Sequence, residues 1–515
     1  MERRVERKIL AAKRIYTMRE EGDFVEAVLI EDGKIRDLGT RADLSNKYPE
    51  AACEIYEDLI GLPGFIDTHC HLSLVGEMEA IESVFDCESR EEILEIFHAA
   101  AMKKRPGEPV LFIGYGGSTD PEERLPSLAE LDRAAQGRAL LCLTAGTHES
   151  FANSVAMEKM SEIQGMATLL GAEERKTGML RNEANLMALS HLSAWMDERE
   201  RAHATDRMIA STIENGIVSV HTFEGKTSHG DVGVERMLAE REAYPFHTRL
   251  YYQTTDVDEA LRVGADGIGG CLSCLLDGDV DPGTAAFRAP YANDPTNYGR
   301  LYFTTEALIE FFRRAHAEGF QIGMHAIGDA AIEQAITAYE TILEESPRAD
   351  HRHRIEHFEI GDDDLIERTA KLGLTLAMQP VFDYYWPYET YIPYIGKERA
   401  EKRCMLRRVM DHGITIGGGS DAPVVSMNPF LGIHAAVNHS VEASRIGVYE
   451  AIAMVTSAAS VLGFEETIRG TIERGKSADL AFVNRDPFTE DPTKLDQVRV
   501  MKTIYRGKTV WSGEE

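Results

Sequence analysis

Eight short apolar runs, several followed by a helix-length amphipathic stretch, constrain this chain more than any other feature. They are Phe65 to His71, Ile217 to His221, His247 to Tyr252, Cys271 to Asp277, Gln321 to His325, Arg354 to His357, Leu374 to Gln379 and Ile414 to Asp421. Helical patterns follow at Thr305 to Glu318, Ala330 to Glu345 and Asp363 to Leu372. Strand and helix in such alternation predict an α/β protein built on a (β/α)8 TIM-type barrel. Its parallel strands are covered on both faces, and its functional side chains gather at their C-terminal ends.

The predicted strand ends carry His71, His221, Asp277, His325, His357, Gln379 and Asp421. In the first run the side chains alternate, so His69 and His71 face one side while Cys70 faces the other, and two imidazoles converge. A single histidine at a strand end is most often a hydrogen-bonded structural residue. This many polar groups on one rim imply a shared partner, because burial without one leaves costly unpaired atoms. Histidine nitrogens with one carboxylate suit a divalent metal, Zn²⁺ first among them, with a position left for water. Such water ionises near neutrality, and Asp421 is the acidic group placed to accept its proton. Hydrolysis is the reaction this set permits.

The two ends of the chain differ from the middle. Short strands separated by turn residues, such as Asp32-Gly33 between Ala27 to Ile30 and Lys34-Ile35, occupy the first 60 residues, and Ala478 to Val483 and Val498 to Lys508 have the same character. One small β-sandwich domain built from residues 1–60 and 467–515 is the economical reading, with the barrel at 61–466. Residues 73–216, after barrel strand one, hold two strand candidates, Val110 to Tyr115 and Ala139 to Thr144, and are expected as an insertion covering the active face. A formal net charge of −31 over 515 residues offers no basic face for nucleic acid. The charged N-terminus lacks a signal-peptide apolar region, no run reaches the length of a membrane span, and seven scattered cysteines read as reduced thiols. A cytoplasmic protein is expected.

Specific words along the chain carry a resemblance. They are Gly64-Phe65-Ile66-Asp67-Thr68-His69-Cys70-His71, His148 to Ser154, Asp277-Gly278, His325 to Asp329, Arg354-Ile355-Glu356-His357, Met378-Gln379-Pro380, Gly419 to Pro423 and Gly475 to Leu480. Together they resemble the amidohydrolase superfamily, in its branch similar to N-substituted formamide deformylase. The resemblance implies that His69 and His71 hold a first metal, that His325 and His357 serve a second metal or the substrate, and that Asp421 is both ligand and general base. His357 is thereby a second catalytic candidate. His148 and Asn153 fall in the family's insertion motif and are candidates for substrate contact, as are His221, Asp277 and Gln379.

One departure shapes the metal count. In binuclear relatives a carboxylated lysine, four residues before the Asp-Gly pair, bridges the metals; here that position is Ser273. Cys271 and Cys274 flank it as candidate bridging thiolates, although Cys271 is expected deeper in the strand and Cys274 facing outward. Lys226, past strand two, reads as solvated. One tightly bound ion, held by His69, His71, Asp421 and His325, is therefore expected over two. The implied reaction is hydrolysis of an amide-type C–N bond in a small molecule. Deamination of a cyclic amidine is the alternative, and a catalytically inactive metal-binding barrel a third that the intact ligand set argues against. No nucleic acid or membrane partner is expected; a homo-oligomer is left open.

Overall fold

The computed structural model describes residues 7–513 apart from 86, 88, 116–125, 145–148, 164–165, 191, 226–231 and 273. Eight parallel strands form its central sheet: β1 (Phe65–Cys70), β2 (Ile217–Glu224), β3 (His247–Gln253), β4 (Gly267–Gly270), β5 (Gln321–Ala326), β6 (Arg354–His357), β7 (Thr375–Met378) and β8 (Ile416–Gly418). Each pairs with the next in chain order. Every residue of β1, β2, β5 and β6 is buried, as expected of strands covered on both faces. The seam closes beyond the last strand, where Asp421 N–H donates to the His69 carbonyl and His71 N–H to the Ala422 carbonyl, each at 2.7 Å. Gly419 permits this approach, since a Cβ there would lie 2.5 Å from the His69 Cβ.

The fourth strand corrects the sequence reading. It is Gly267–Gly270, and Cys271 to Asp277 runs on as irregular rim. Three glycines in four residues carry no strand propensity, because side-chain packing creates that signal. Here packing demands their absence: a Cβ on Gly269 would meet the Gly323 carbonyl oxygen at 1.6 Å. The strand is set by its neighbours' bulk, and Cys271 consequently lies at the rim.

Thr305–Ala317, Asp329–Glu345 and Asp363–Leu372 are helices, as their patterns predict. Thr304 and Asp362 cap the first and third by accepting from Ala307 N–H and Leu365 N–H. The second buries Ile332, Ile336, Tyr339 and Ile342, a helical spacing that turns one face inward. Each large apolar side chain so covered contributes about 1.5–3 kcal/mol.

Strands from both termini join one seven-stranded sheet. Its order is Lys508–Ser512, Val500–Tyr505, Leu480–Val483, Ala52–Pro63, Arg7–Tyr16, Phe24–Glu31 and Lys34–Gly39. The two ends meet where Leu480 pairs with Pro63. Leu10, Val28, Ile30, Leu480, Phe482 and Ile504 form its core.

The chain divides into two compact units, the second being Leu72–Ile209 with Gly225–Glu240. That unit has its own five-stranded sheet, ordered Met179–Arg181, Glu149–Ala152, Leu140–Thr144, Val110–Tyr115 and Glu82–Ser83. Leu141, Leu143, Met157, Met160 and Leu180 are buried in its core. None of the seven cysteines forms a disulfide. Among the described residues no helix is long and apolar enough to cross a membrane.

Candidate metal centre

The C-terminal ends of β1, β4, β5, β6 and β8 bring six ligand-type side chains together. His69 lies within β1 and His71 just past it, Cys271 follows β4, His325 and His357 lie on β5 and β6, and Asp421 follows β8. All six are buried. Their ligand atoms form two groups within 4.8 Å, one of His69, His71, Cys271 and Asp421 and the other of Cys271, His325 and His357. Cys271 belongs to both: its Sγ lies 3.2 Å from His69 Nε2, 3.5 Å from His325 Nδ1 and 3.1 Å from His357 Nε2. Asp421 Oδ1 lies 3.1 Å from His71 Nε2 and 3.3 Å from His69 Nε2. His357 and Asp421 hold left-handed backbone at φ 69° and 59°, a conformation that costs other residues about 1 kcal/mol or more and that collects at functional sites.

A second layer of groups fixes the rings. His69 Nδ1 meets Glu356 Oε2 at 2.6 Å, and His71 Nδ1 donates to the Phe223 carbonyl at 3.1 Å. His325 Nε2 lies 3.5 Å from Asp277 Oδ1, which leaves Nδ1 toward Cys271. Such partners orient a metal-binding histidine and settle which nitrogen carries the proton.

The pocket is short of positive charge. Among the described side chains, His71 Nε2 and Asp421 Oδ1 are buried without a hydrogen-bond partner although aimed at each other, and each such atom costs about 1–3 kcal/mol. Burial opposes ionisation of Cys271, yet the rings of His69, His357 and His325 draw its thiol well below the usual range. Asp421 is likewise held below the usual carboxylate range against its burial, by the neighbouring rings of His69 and His71. Burial would lower His71 and His325, but Asp421 and Cys271 raise His71 to about 10, and Cys271 raises His325 to about 9. Protons here do the work of a cation, and nitrogen, thiolate and carboxylate donors together suit a divalent ion such as Zn²⁺.

The other sequence candidates fall elsewhere. His325 groups with His357 and Cys271, the pairing the resemblance implies, and not with His69 and His71 as the single-ion expectation had it. Cys274 is half-buried at φ 60° and belongs to neither group. His221, expected to contact substrate, lies between Arg354 Nη1 and Glu465 Oε1, each at 3.1 Å. Asp277 accepts from the N–H groups of Ala286, Ile327 and Gly328, behind His325. Asn153 caps Ser154–Ser161 and also binds Leu140 N–H and the Arg138 carbonyl. Gln379 is buried with its Oε1 unpaired. His148, Ser273 and Lys226 lie outside the described residues. Sequence reasoning gave no role to Arg354 or Glu356. Two charged residues in a buried four-residue strand were the available signal.

An eight-stranded barrel carrying a buried imidazole, thiolate and carboxylate set at its strand ends is the framework of a metal-dependent hydrolase. The chain belongs to the amidohydrolase family, whose pattern matches residues 57–511. It is 30% identical to a putative amidohydrolase, YtcJ, of Bacillus subtilis (strain 168), over 96% of this chain and 98% of that protein. It is 27% identical to an N-substituted formamide deformylase of Arthrobacter pascens, over 94% of each chain. An uncharacterised metal-dependent hydrolase from Pyrococcus furiosus shares the fold with a TM-score of 0.76 at 22% identity, over 94% of this chain and 100% of that one.

Proposed function

We propose that this hydrolase cleaves an amide-type C–N bond of a small molecule, with His69, His71, Cys271, Asp421, His325 and His357 holding divalent metal. The observation that carries this reading is the buried Asp421 carboxylate, ionised and with Oδ1 unpaired beside two imidazoles. Metal bound there supplies a water acidified to near neutrality and polarises the substrate carbonyl. Asp421 accepts the proton of the attacking water and returns it to the departing nitrogen, so an amine leaves neutral. His357 offers an unpaired Nδ1 to orient substrate or water.

The donors would hold two ions better than one, with His69, His71 and Asp421 on one side, His325 and His357 on the other, and Cys271 within reach of both. The expectation of a single ion rested on there being no anion between the donor groups. Cys271 Sγ is in both. A shared anion offsets the repulsion of two cations in a partly desolvated site.

A line of rings supports an apolar substituent on the substrate nitrogen. Phe382 stacks parallel to His357 at 6.3 Å, Trp386 follows at 5.8 Å, then Tyr385 at 5.8 Å and Tyr384 at 5.4 Å. Tyr384 and Tyr385 are more than two-fifths exposed, so the line runs from a ligand ring to solvent. The name of the Arthrobacter relative, an N-substituted formamide deformylase, agrees with such a substrate. The test is a screen of N-formyl and N-acyl amines beside cyclic amidines, with metal content measured in parallel. Amine release from the amides supports the proposal, whereas ammonia released from the amidines alone would replace it with deamination.

A further inference from the structure

The ion pair beneath His69 has no part in the scheme above. Arg354 and Glu356 alternate with Ile355 and His357 on β6, and both are fully buried. Arg354 Nε donates to Glu356 Oε1 at 2.5 Å and Nη2 to Oε2 at 2.6 Å, a two-bond clamp. Its other donors reach the Thr68 carbonyl at 2.5 Å, His221 Nδ1 at 3.1 Å and Tyr251 Oη at 3.1 Å. All five guanidinium N–H groups are thereby engaged.

These contacts leave no freedom in where the protons sit. Guanidinium has donors only, so His221 Nδ1 must accept, and its proton lies on Nε2, which donates to Glu465 Oε1. Glu465 in turn accepts from Ser219 Oγ and pairs with Arg469, whose Nε reaches Asp479 Oδ2 at 3.0 Å. Arg354 is thus held from below by a chain of alternating charge. Above it, the clamped Glu356 carboxylate has acceptors only, so His69 Nδ1 must donate to it. In the neutral ring, the form that binds metal, the lone pair of His69 is then on Nε2, the atom that faces Cys271 and Asp421.

We propose that Glu356, clamped by Arg354, is a positioning residue that fixes the His69 proton on Nδ1 and so presents Nε2 to the metal. This rests on the metal-centre reading above. Arg354 serves by engaging Glu356 at two points, which prevents the carboxylate from turning away.

The test compares two double variants, each without the buried charge pair: Arg354→Met/Glu356→Gln, which can still turn an amide oxygen to His69, and Arg354→Met/Glu356→Leu, which cannot. Zn²⁺ affinity by chelator competition and the Co²⁺ absorption spectrum are read on protein shown to melt cooperatively. The Leu variant should bind 10- to 100-fold more weakly than the Gln variant, the range known for losing such a partner. Equal affinity in the two would reduce Glu356 to a structural ion pair and overturn the proposal. If the Leu variant fails to melt cooperatively, zinc-loaded wild type with ¹⁵N-labelled histidine decides: a proton on His69 Nδ1 supports the proposal and one on Nε2 refutes it. Wild type that binds no divalent metal would instead defeat the metal-centre reading itself.

Discussion

Replacing Cys271 with serine tests the centre most directly, because the exchange removes one negative charge while barely changing shape. The Sγ atom is the only ligand atom common to both donor groups among the described residues, with three ring nitrogens at 3.1–3.5 Å. At 3.1 Å and an effective dielectric constant near 20, a unit charge interacts with another by about 5 kcal/mol. Serine is neutral at pH 7 and supplies none of this. Since each 1.36 kcal/mol is tenfold, affinity should fall by roughly three orders of magnitude or more. Elemental analysis after dialysis against a weak chelator reads the loss, with Cys271→Asp as the companion that restores an anion. The serine variant should lose at least one equivalent of metal and most activity, and the aspartate variant should regain metal. Wild-type metal content in Cys271→Ser would refute the shared thiolate.

Asp421→Asn should melt like wild type yet lower kcat by about 10²- to 10⁴-fold, the share of a general base, and by more if metal is also lost; comparable turnover would remove Asp421 from that role. Acid should weaken the fold through His221, whose burial, with Glu465 opposing and Arg354 assisting, lowers it to about 4. Its contribution is complete above its unfolded pKa, near 6.5, and is lost as pH falls toward 4, amounting to about 2 kcal/mol by pH 5. Urea midpoints at pH 7 and pH 5 should therefore diverge more in wild type than in His221→Asn, and parallel declines would refute this. Trp386→Ala should raise KM for amides bearing an aromatic N-substituent and leave their N-methyl counterparts nearly unchanged; an equal rise in both would separate the ring line from substrate binding.

The barrel was legible because β1, β2, β5, β6 and β7 contain what buried parallel strands require, and because periodic helices such as Asp329–Glu345 separate several of them. His69, His71, His325, His357 and Asp421 were legible for a related reason: ligand-type side chains at the ends of apolar runs have few structural uses in common. Three of the residues expected to contact substrate share a physical trait. His221, Asp277 and Asn153 are each engaged by partners remote in sequence or by backbone N–H groups, and nothing in a local pattern reports such partners.

Cys271 shows the limit most clearly. Counting from Asp277-Gly278 assumes a regular strand leading to that pair, and the assumption buried Cys271 while placing Ser273 at the bridge. The strand instead ends at Gly270, and the glycines that let β4 lie against β5 leave it one side chain, Ile268, by which to be recognised. Cys271 is the first residue after that end, so its backbone leaves the sheet at the depth of His69 and His357, and its sulfur reaches both rings. A short, small-residue strand therefore does two things at once: it hides the true register from a reading of side chains, and it delivers the thiolate between the two donor groups. If the proposed shared thiolate holds, the metal count follows from the packing of β4 against its neighbours, and not from the residue that stands where a lysine is found in binuclear relatives.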